Sequence, residues 1–335
     1  MSNNGFSRRK FIQTLMTGVL LGPVVLKTQA ASMSSIPTRA LGKTGERVSI
    51  VGFGGWDLGF IDEKLAVRMM HEGIEAGITF IDNAWEYNRG RSEEVVGKGL
   101  KEGNLRDKVF LMTKVCARDY EGAKRHLEDA LRRMNTEMID LVQLHSIQYD
   151  GDRERVFDPE TGALRALIEG KKEGKLRYIG FTGHRDPKIH LDMLNMPFEW
   201  DAVQMPLNIM DAHYNSFQKQ VLPVANQREI AVLGMKSLVG GFDRISSRVK
   251  VSAELCRHYA LSLPVSTLVC GMQNMDEMRL MIDMARDFKP LTEDKINEML
   301  DKAALAAKTG EAEYYKDSNR GYGCSYHSKV LSDGQ

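Results

Sequence analysis

From Thr38 onward, short apolar runs alternate with helix-patterned segments at a spacing of roughly thirty residues. The runs are VSIVGFGG (48–55), TFIDNA (79–84), VFLMTKV (109–115), DLVQLH (140–145), YIGFTGH (178–184), AVQMPLN (202–208), AVLGMKS (231–237) and TLVCGM (267–272). They are near-continuously apolar, the pattern of parallel strands covered on both faces. Eight strands, each followed by a helix, predict an α/β fold, a (β/α)8 TIM barrel. An open doubly wound sheet competes, but it calls for G-x-G-x-x-G after its first strand, and GFGGWDLG does not have that spacing.

Local signals agree with the alternation. Leu65, Met69 and Ile74 recur at helical spacing and Gly77 marks a stop, while Ser92 before Glu93 and Glu94 reads as an N-cap. TRALGKTGERVSI places turn residues Gly42 to Gly45 between two extended runs, which predicts a hairpin closing the barrel bottom. The barrel is expected over 38–290. An extra C-terminal helix near 291–308 and a polar tail with Tyr314, Tyr315, Tyr322, Tyr326 and His327 fill 291–335.

The first thirty residues are of another kind. SRRKFIQ precedes the modestly apolar LMTGVLLGPVVL and then KTQAAS, with small residues suited to cleavage after Ala30. The apolar stretch is too short to span a bilayer. The twin arginines resemble a Tat export signal, so residues 1–30 are expected to be removed, with the Tat machinery as a partner and the periplasm as destination. If the signal is not used, the protein stays cytoplasmic. A net charge of +1 argues against a nucleic-acid partner. Cys116, Cys256, Cys270 and Cys324 lie far apart with no C-x-x-C pair, and read as small apolar residues.

In a barrel the C-terminal strand ends share one face, where chemistry is done. The second strand ends on Asp82 with Tyr87 beyond it, the third on Lys114, the fourth on His145. A phenol, with a pKa of about 10, is a poor acid at neutral pH. An ammonium beside it stabilises its anion, and a carboxylate keeps that ammonium charged despite burial. An imidazole can donate to a carbonyl oxygen as charge develops there. The set suits carbonyl reduction with hydride from a bound cofactor.

These segments resemble the aldo-keto reductase family. FIDNAWEYNRGRSEEVVGKGL is similar to that family's F-D-T-A-x-x-Y-G-x-G-x-S-E signature, LMTKV to its strand-three lysine, MIDLVQLH to its D-L-x-x-x-H segment, and GKLRYIGFTGH to its G-K-I-R-x-I-G-V-S-N. The resemblance runs from Thr38 to Phe288 and implies a catalytic tetrad of Asp82, Tyr87, Lys114 and His145, with NADP or NAD as cofactor. It also implies cofactor contacts from Gly55, Trp56, Thr182, Gln204, Met235, Lys236, Ser237, Leu238, Gly240, Gly271, Gln273 and Asn274.

The cradle departs from the family pattern in three places. The Ser-Asn pair becomes Thr182-Gly183, the aromatic under the nicotinamide becomes Met235, and Gln273 stands where a basic residue commonly grips the 2′-phosphate, with Arg279 as the nearby substitute. An amide cannot neutralise a phosphomonoester, so the choice between NADP and NAD stays open. Trp56, Trp85 and His145 are the expected substrate contacts, with a small carbonyl or alcohol as substrate and the tyrosine-rich tail either folding over it or exposed and disordered. No metal is expected. Two other readings remain: a nicotinamide-binding barrel without turnover, and a metal-dependent barrel hydrolase using His145, His184, His213, Asp82 and Asp211, which leaves Tyr87 and Lys114 idle.

Overall fold

The computed structural model describes residues 35–149, 151–241, 245, 247–317, 324 and 326. The export signal, like Tyr322 and His327, lies outside the described residues. Two short strands open the unit that begins at Ser35, β1 (Thr38–Ala40) and β2 (Arg47–Ser49), paired antiparallel. Eight more follow: β3 (Val51–Gly54), β4 (Phe80–Asp82), β5 (Phe110–Val115), β6 (Ile139–Leu144), β7 (Leu176–Thr182), β8 (Ala202–Pro206), β9 (Ala231–Met235) and β10 (Thr267–Cys270). All are parallel and close into one barrel, β10 pairing with both β9 and β3. Each of the eight predicted runs supplies one barrel strand.

The first run is shared. Arg47–Ser49 belongs to the hairpin and only Val51–Gly54 enters the barrel. Between them Ser49 Oγ donates to the Val51 carbonyl (2.6 Å) and accepts from the Thr79 amide (2.8 Å), which turns the chain from one sheet into the other. The hairpin closes the bottom as predicted: Leu41 and Val48 pack with Phe80, Phe110, Met112, Leu141 and Leu233. Phe80 and Phe110 stack at 5.6 Å inside that plug.

The opposite end of the barrel is polar. Asp82, Lys114, Gln143 and Gln204 are all buried there. Outside, the helices Glu63–Glu75, Arg91–Glu102, Tyr120–Arg133 and Ala163–Lys172 bury one face each against the strands. The first stops as expected, with Gly77 at φ 108 and the Ile78 amide bonded back to Gly73.

Ser92 corrects the sequence reading. The cap position of its helix is Gly90, and Ser92 lies inside the first turn, fully buried, its one hydroxyl proton within reach of both the Gly55 carbonyl and Asn83 Oδ1. Its neighbour Glu93 is also buried, held by Thr113 (2.6 Å) and Arg133 (3.1 Å), and burial pushes its carboxyl up to about 7. These residues tie a helix to the barrel mouth instead of facing solvent. The extra helix near 291–308 runs Glu293–Ala307, followed by a helical turn at Glu311–Lys316.

Candidate active site

Three adjacent strands deliver the four expected catalytic side chains to one place. Asp82 ends β4, Lys114 lies near the end of β5, His145 directly follows β6, and Tyr87 opens a short turn beyond β4. Lys114 Nζ donates to Asp82 Oδ1, to the Asn83 carbonyl (2.7 Å) and to the Tyr87 hydroxyl (3.2 Å). It is 1% exposed, so burial lowers its pKa while the Asp82 carboxylate opposes that shift. Asp82 is held on its other oxygen by Gln204 Nε2 at 2.8 Å. The Tyr87 ring stands edge-on to His145 at 5.7 Å.

His145 has neighbours the sequence reading did not name. Its Nδ1 lies 3.4 Å from Glu86 Oε1 and 3.4 Å from Cys116 Sγ, and Cys324 from the tail hydrogen-bonds Cys116. The cysteines are therefore not merely scattered apolar fillers: two of the four meet at the site. No pattern within the sequence links residues 116 and 324; only β5 and the returning tail do. The hydrolase set is not assembled: Asp82 is spent on Lys114 and Gln204, and Asp211 is bonded to Lys316 (2.7 Å) and to the amides of Phe217 and Gln218.

The expected substrate contacts divide. Trp56 is 53% exposed and stands edge-on to Tyr87 at 5.5 Å, beside the mouth. Trp85 is committed elsewhere: its face stacks on His126 at 3.6 Å, its indole N–H donates to Asp129 (3.1 Å), and Tyr326 of the tail meets it edge-on at 5.7 Å. Burial pushes the His126 imidazole down to about 3, and as a neutral ring it accepts the Cys116 amide at Nδ1. So Trp85 anchors the tail, which does return to the mouth.

Around the rest of the rim lie the expected cofactor contacts. Thr182, Gln204 and Ser237 are buried at the ends of β7, β8 and β9, and Met235 is half-buried. Gln204 Oε1 is buried with no hydrogen-bond partner, an acceptor suited to a carboxamide N–H of nicotinamide. Gly55 lies so close to the Asp82 carbonyl that a Cβ would sit 2.4 Å from it. Gly183 has its own reason: a Cβ there would meet the Ile147 carbonyl at 2.4 Å, which excludes the family's asparagine from this backbone.

The loop after β9 is bent sharply, Lys236, Val239 and Gly240 all having positive φ. Lys236 lies over the Tyr315 ring, and burial pushes its ammonium down to about 8. The helical turn 311–316 packs onto this loop, its Tyr314 hydroxyl reaching Gly240. It is fastened by Lys316 Nζ to Asp211 (2.7 Å), Glu313 (2.8 Å) and the Tyr214 carbonyl (2.7 Å). Leu238 is partly buried. After β10, Gln273 Nε2 donates to Asp57 Oδ1 at 2.8 Å, and the Asp57 carboxyl is raised by burial. Gly271 abuts Asp57, Asn274 caps the next helix, and Arg279 is paired with Glu72 at 3.3 Å.

This geometry defines a (β/α)8-barrel enzyme with its polar residues collected at the strand ends. The aldo/keto reductase family model matches residues 50–248. An L-galactose dehydrogenase of Arabidopsis thaliana is 33% identical over 228 residues, 62% of this chain and 67% of that protein. A methylglyoxal reductase of Escherichia coli is 32% identical over 197 residues, 56% of this chain and 63% of its own. An aldo-keto reductase from Bacillus halodurans, solved in its holo form, superposes with a TM-score of 0.68 at 26% identity, covering 83% of this chain and 99% of that one. The chain belongs to the aldo/keto reductase family and is an oxidoreductase.

Proposed function

We propose that the protein reduces a small carbonyl compound with NADH or NADPH, Tyr87 giving the proton. The contact that carries this reading is Lys114 Nζ, bonded at once to the Asp82 carboxylate and the Tyr87 hydroxyl. A bound nicotinamide supplies hydride to the carbonyl carbon. As negative charge gathers on the carbonyl oxygen, His145 donates a hydrogen bond to it and Tyr87 transfers its proton. The adjacent ammonium stabilises the phenolate left behind, and Asp82 keeps the ammonium charged although it is buried. Gln204, Thr182 and Met235 are placed to hold the nicotinamide, Lys236 and Ser237 the pyrophosphate, and Gln273 with Asn274 the adenosine end.

With Asp57 against Gln273, the adenosine end offers a carboxyl group where a 2′-phosphate needs a base. The expected preference for NADP over NAD is therefore weak. NAD(P)H oxidation measured against a panel of small aldehydes tests the whole reading. Cofactor binding without turnover on any of them favours a non-catalytic barrel instead.

The domain and export readings rest on the sequence: a signal over 1–30, a barrel over 38–290 and a C-terminal segment over 291–335. We take SRRKFIQ as a Tat signal carrying the folded, cofactor-loaded enzyme to the periplasm. Replacing Arg8 and Arg9 by Lys is expected to leave folded protein in the cytoplasm. Undiminished periplasmic protein in that variant overturns the assignment.

A further inference from the structure

Four side chains from separate parts of the chain converge beside the barrel mouth. Glu86 comes from the turn after β4, Cys116 from just past β5, His145 from just past β6, and Cys324 from the tail. One donor atom of each lies within 4.8 Å of the other three. The two edges through the imidazole, Cys116 Sγ to His145 Nδ1 and His145 Nδ1 to Glu86 Oε1, are both 3.4 Å.

A tetrahedral ion with metal–sulfur bonds of about 2.3 Å and metal–nitrogen or –oxygen bonds of about 2.0 Å sets its ligands about 3.3 to 3.8 Å apart. Both edges through the imidazole have that length, and the other donor atoms lie within 4.8 Å of one another, close enough for small side-chain shifts to complete the set. We propose that Glu86, Cys116, His145 and Cys324 bind a divalent cation of the zinc class, through two thiolates, one imidazole nitrogen and one carboxylate oxygen.

Burial favours the proposal over simple packing. Cys116 and Cys324 are inaccessible and His145 nearly so, while Glu86 is only partly exposed. A bound divalent cation deprotonates a coordinated thiol outright. Each ion bound displaces two thiol protons to solvent, with no change of oxidation state. The resulting charge, two from the ion against three from its ligands, faces Lys114, on which Cys116 and Glu86 already act, and Arg118, bonded at 2.9 Å to the Cys116 carbonyl.

The bound ion fastens the tail. Cys324 becomes a ligand supplied from outside the barrel, with Tyr326 seated two residues on against Trp85 and His126. Neither residue spacing nor motif announces this group, because its members sit at 86, 116, 145 and 324.

The test uses full-length protein, reduced and stripped with a chelator, then titrated with Zn2+ against a chromophoric competitor. The expected result is one zinc per chain, with binding about 10²-fold weaker in Cys324→Ser and in Cys116→Ser. Cys256→Ser and Cys270→Ser, elsewhere in the core, serve as controls and are expected to bind as wild type. Replacement by Co2+ is expected to give intense thiolate-to-metal absorption that Cys324→Ser loses. Cys324 lies outside the barrel, so its serine variant is expected to fold, checked by an unchanged thermal transition of the stripped protein. Zinc affinity indifferent to Cys324 overturns the proposal. So does finding Cys116 and Cys324 joined as a disulfide in protein that never takes up zinc.

Discussion

The two halves of the barrel mouth are built on different principles. On the β4–β6 side, Lys114 holds Asp82 and Tyr87 together, and Asp82 also accepts from Gln204 of β8. On the β7–β10 side, Gln204 leaves a buried oxygen unanswered, burial pushes the Lys236 ammonium down to about 8, and the loop after β9 bends through positive φ. The proton-transfer set is held together without a ligand, even though both side-chain polar atoms of Gln143 and Asn83 Nδ2 beside it have no partner among the described residues, whereas the cradle leaves the Gln204 acceptor for its ligand. A proton-transfer chain must be rigid before substrate arrives, whereas a cradle keeps acceptors and charges that only its ligand satisfies.

The difference is broken hardest on the strand-built half. Tyr87→Phe is expected to lower kcat by at least about 10²-fold with cofactor affinity unchanged, and Lys114→Met to do likewise. Single-turnover reduction of an aldehyde measures this directly; near-normal turnover in Tyr87→Phe removes the phenol from the mechanism.

Next in size is Gly183→Asn, which restores the family's amide to the cradle. Because its Cβ meets the Ile147 carbonyl, the variant is expected to lose about 1 to 3 kcal/mol of stability by urea unfolding. An unchanged midpoint would mean that the backbone there yields easily.

A smaller effect is expected at Lys236. With its ammonium at about 8 in the free protein and an anionic pyrophosphate favouring the charged form, cofactor Kd is flat below about pH 8 and rises above it. Lys236→Met is expected to weaken binding about tenfold at pH 7 and to abolish that rise, as read by fluorescence titration. Smallest is Gln273→Arg. Asp57 competes for the new guanidinium, so the shift toward NADP in the ratio of the two dissociation constants is expected to be about 1 kcal/mol. Asp57→Asn added to it enlarges the shift if the carboxyl is the reason.

How far the sequence could be read follows the same division. The eight apolar runs and the hairpin were legible because burial on both faces leaves nearly unbroken hydrophobic strings, and Asp82, Lys114 and His145 because strand ends are points of fixed direction. Ser92 misled because a serine before two acids looks like a cap, while here it faces inward from its helix to Gly55 and Asn83 at the barrel mouth. Trp85 misled because exposure cannot be read from position: His126, forty-one residues later, covers its face. Glu86, Cys116 and Cys324 were invisible as a group, since a tail that folds back leaves no periodic trace.

The fastening of that tail bears on the order in which the molecule can be made. Lys316 is the cation between Asp211 and Glu313, all three fully enclosed, and it is translated more than a hundred residues after Asp211. Until it emerges, the Asp211 carboxylate has, among the described residues, only the Ser216 hydroxyl and the amides of Phe217 and Gln218 as partners, and a buried ion pair deprived of one member typically costs about 3 to 5 kcal/mol. The segment beyond β8 therefore completes its set of partners only when residue 316 is present, and a chain truncated before Lys316 is expected to be less stable than the whole.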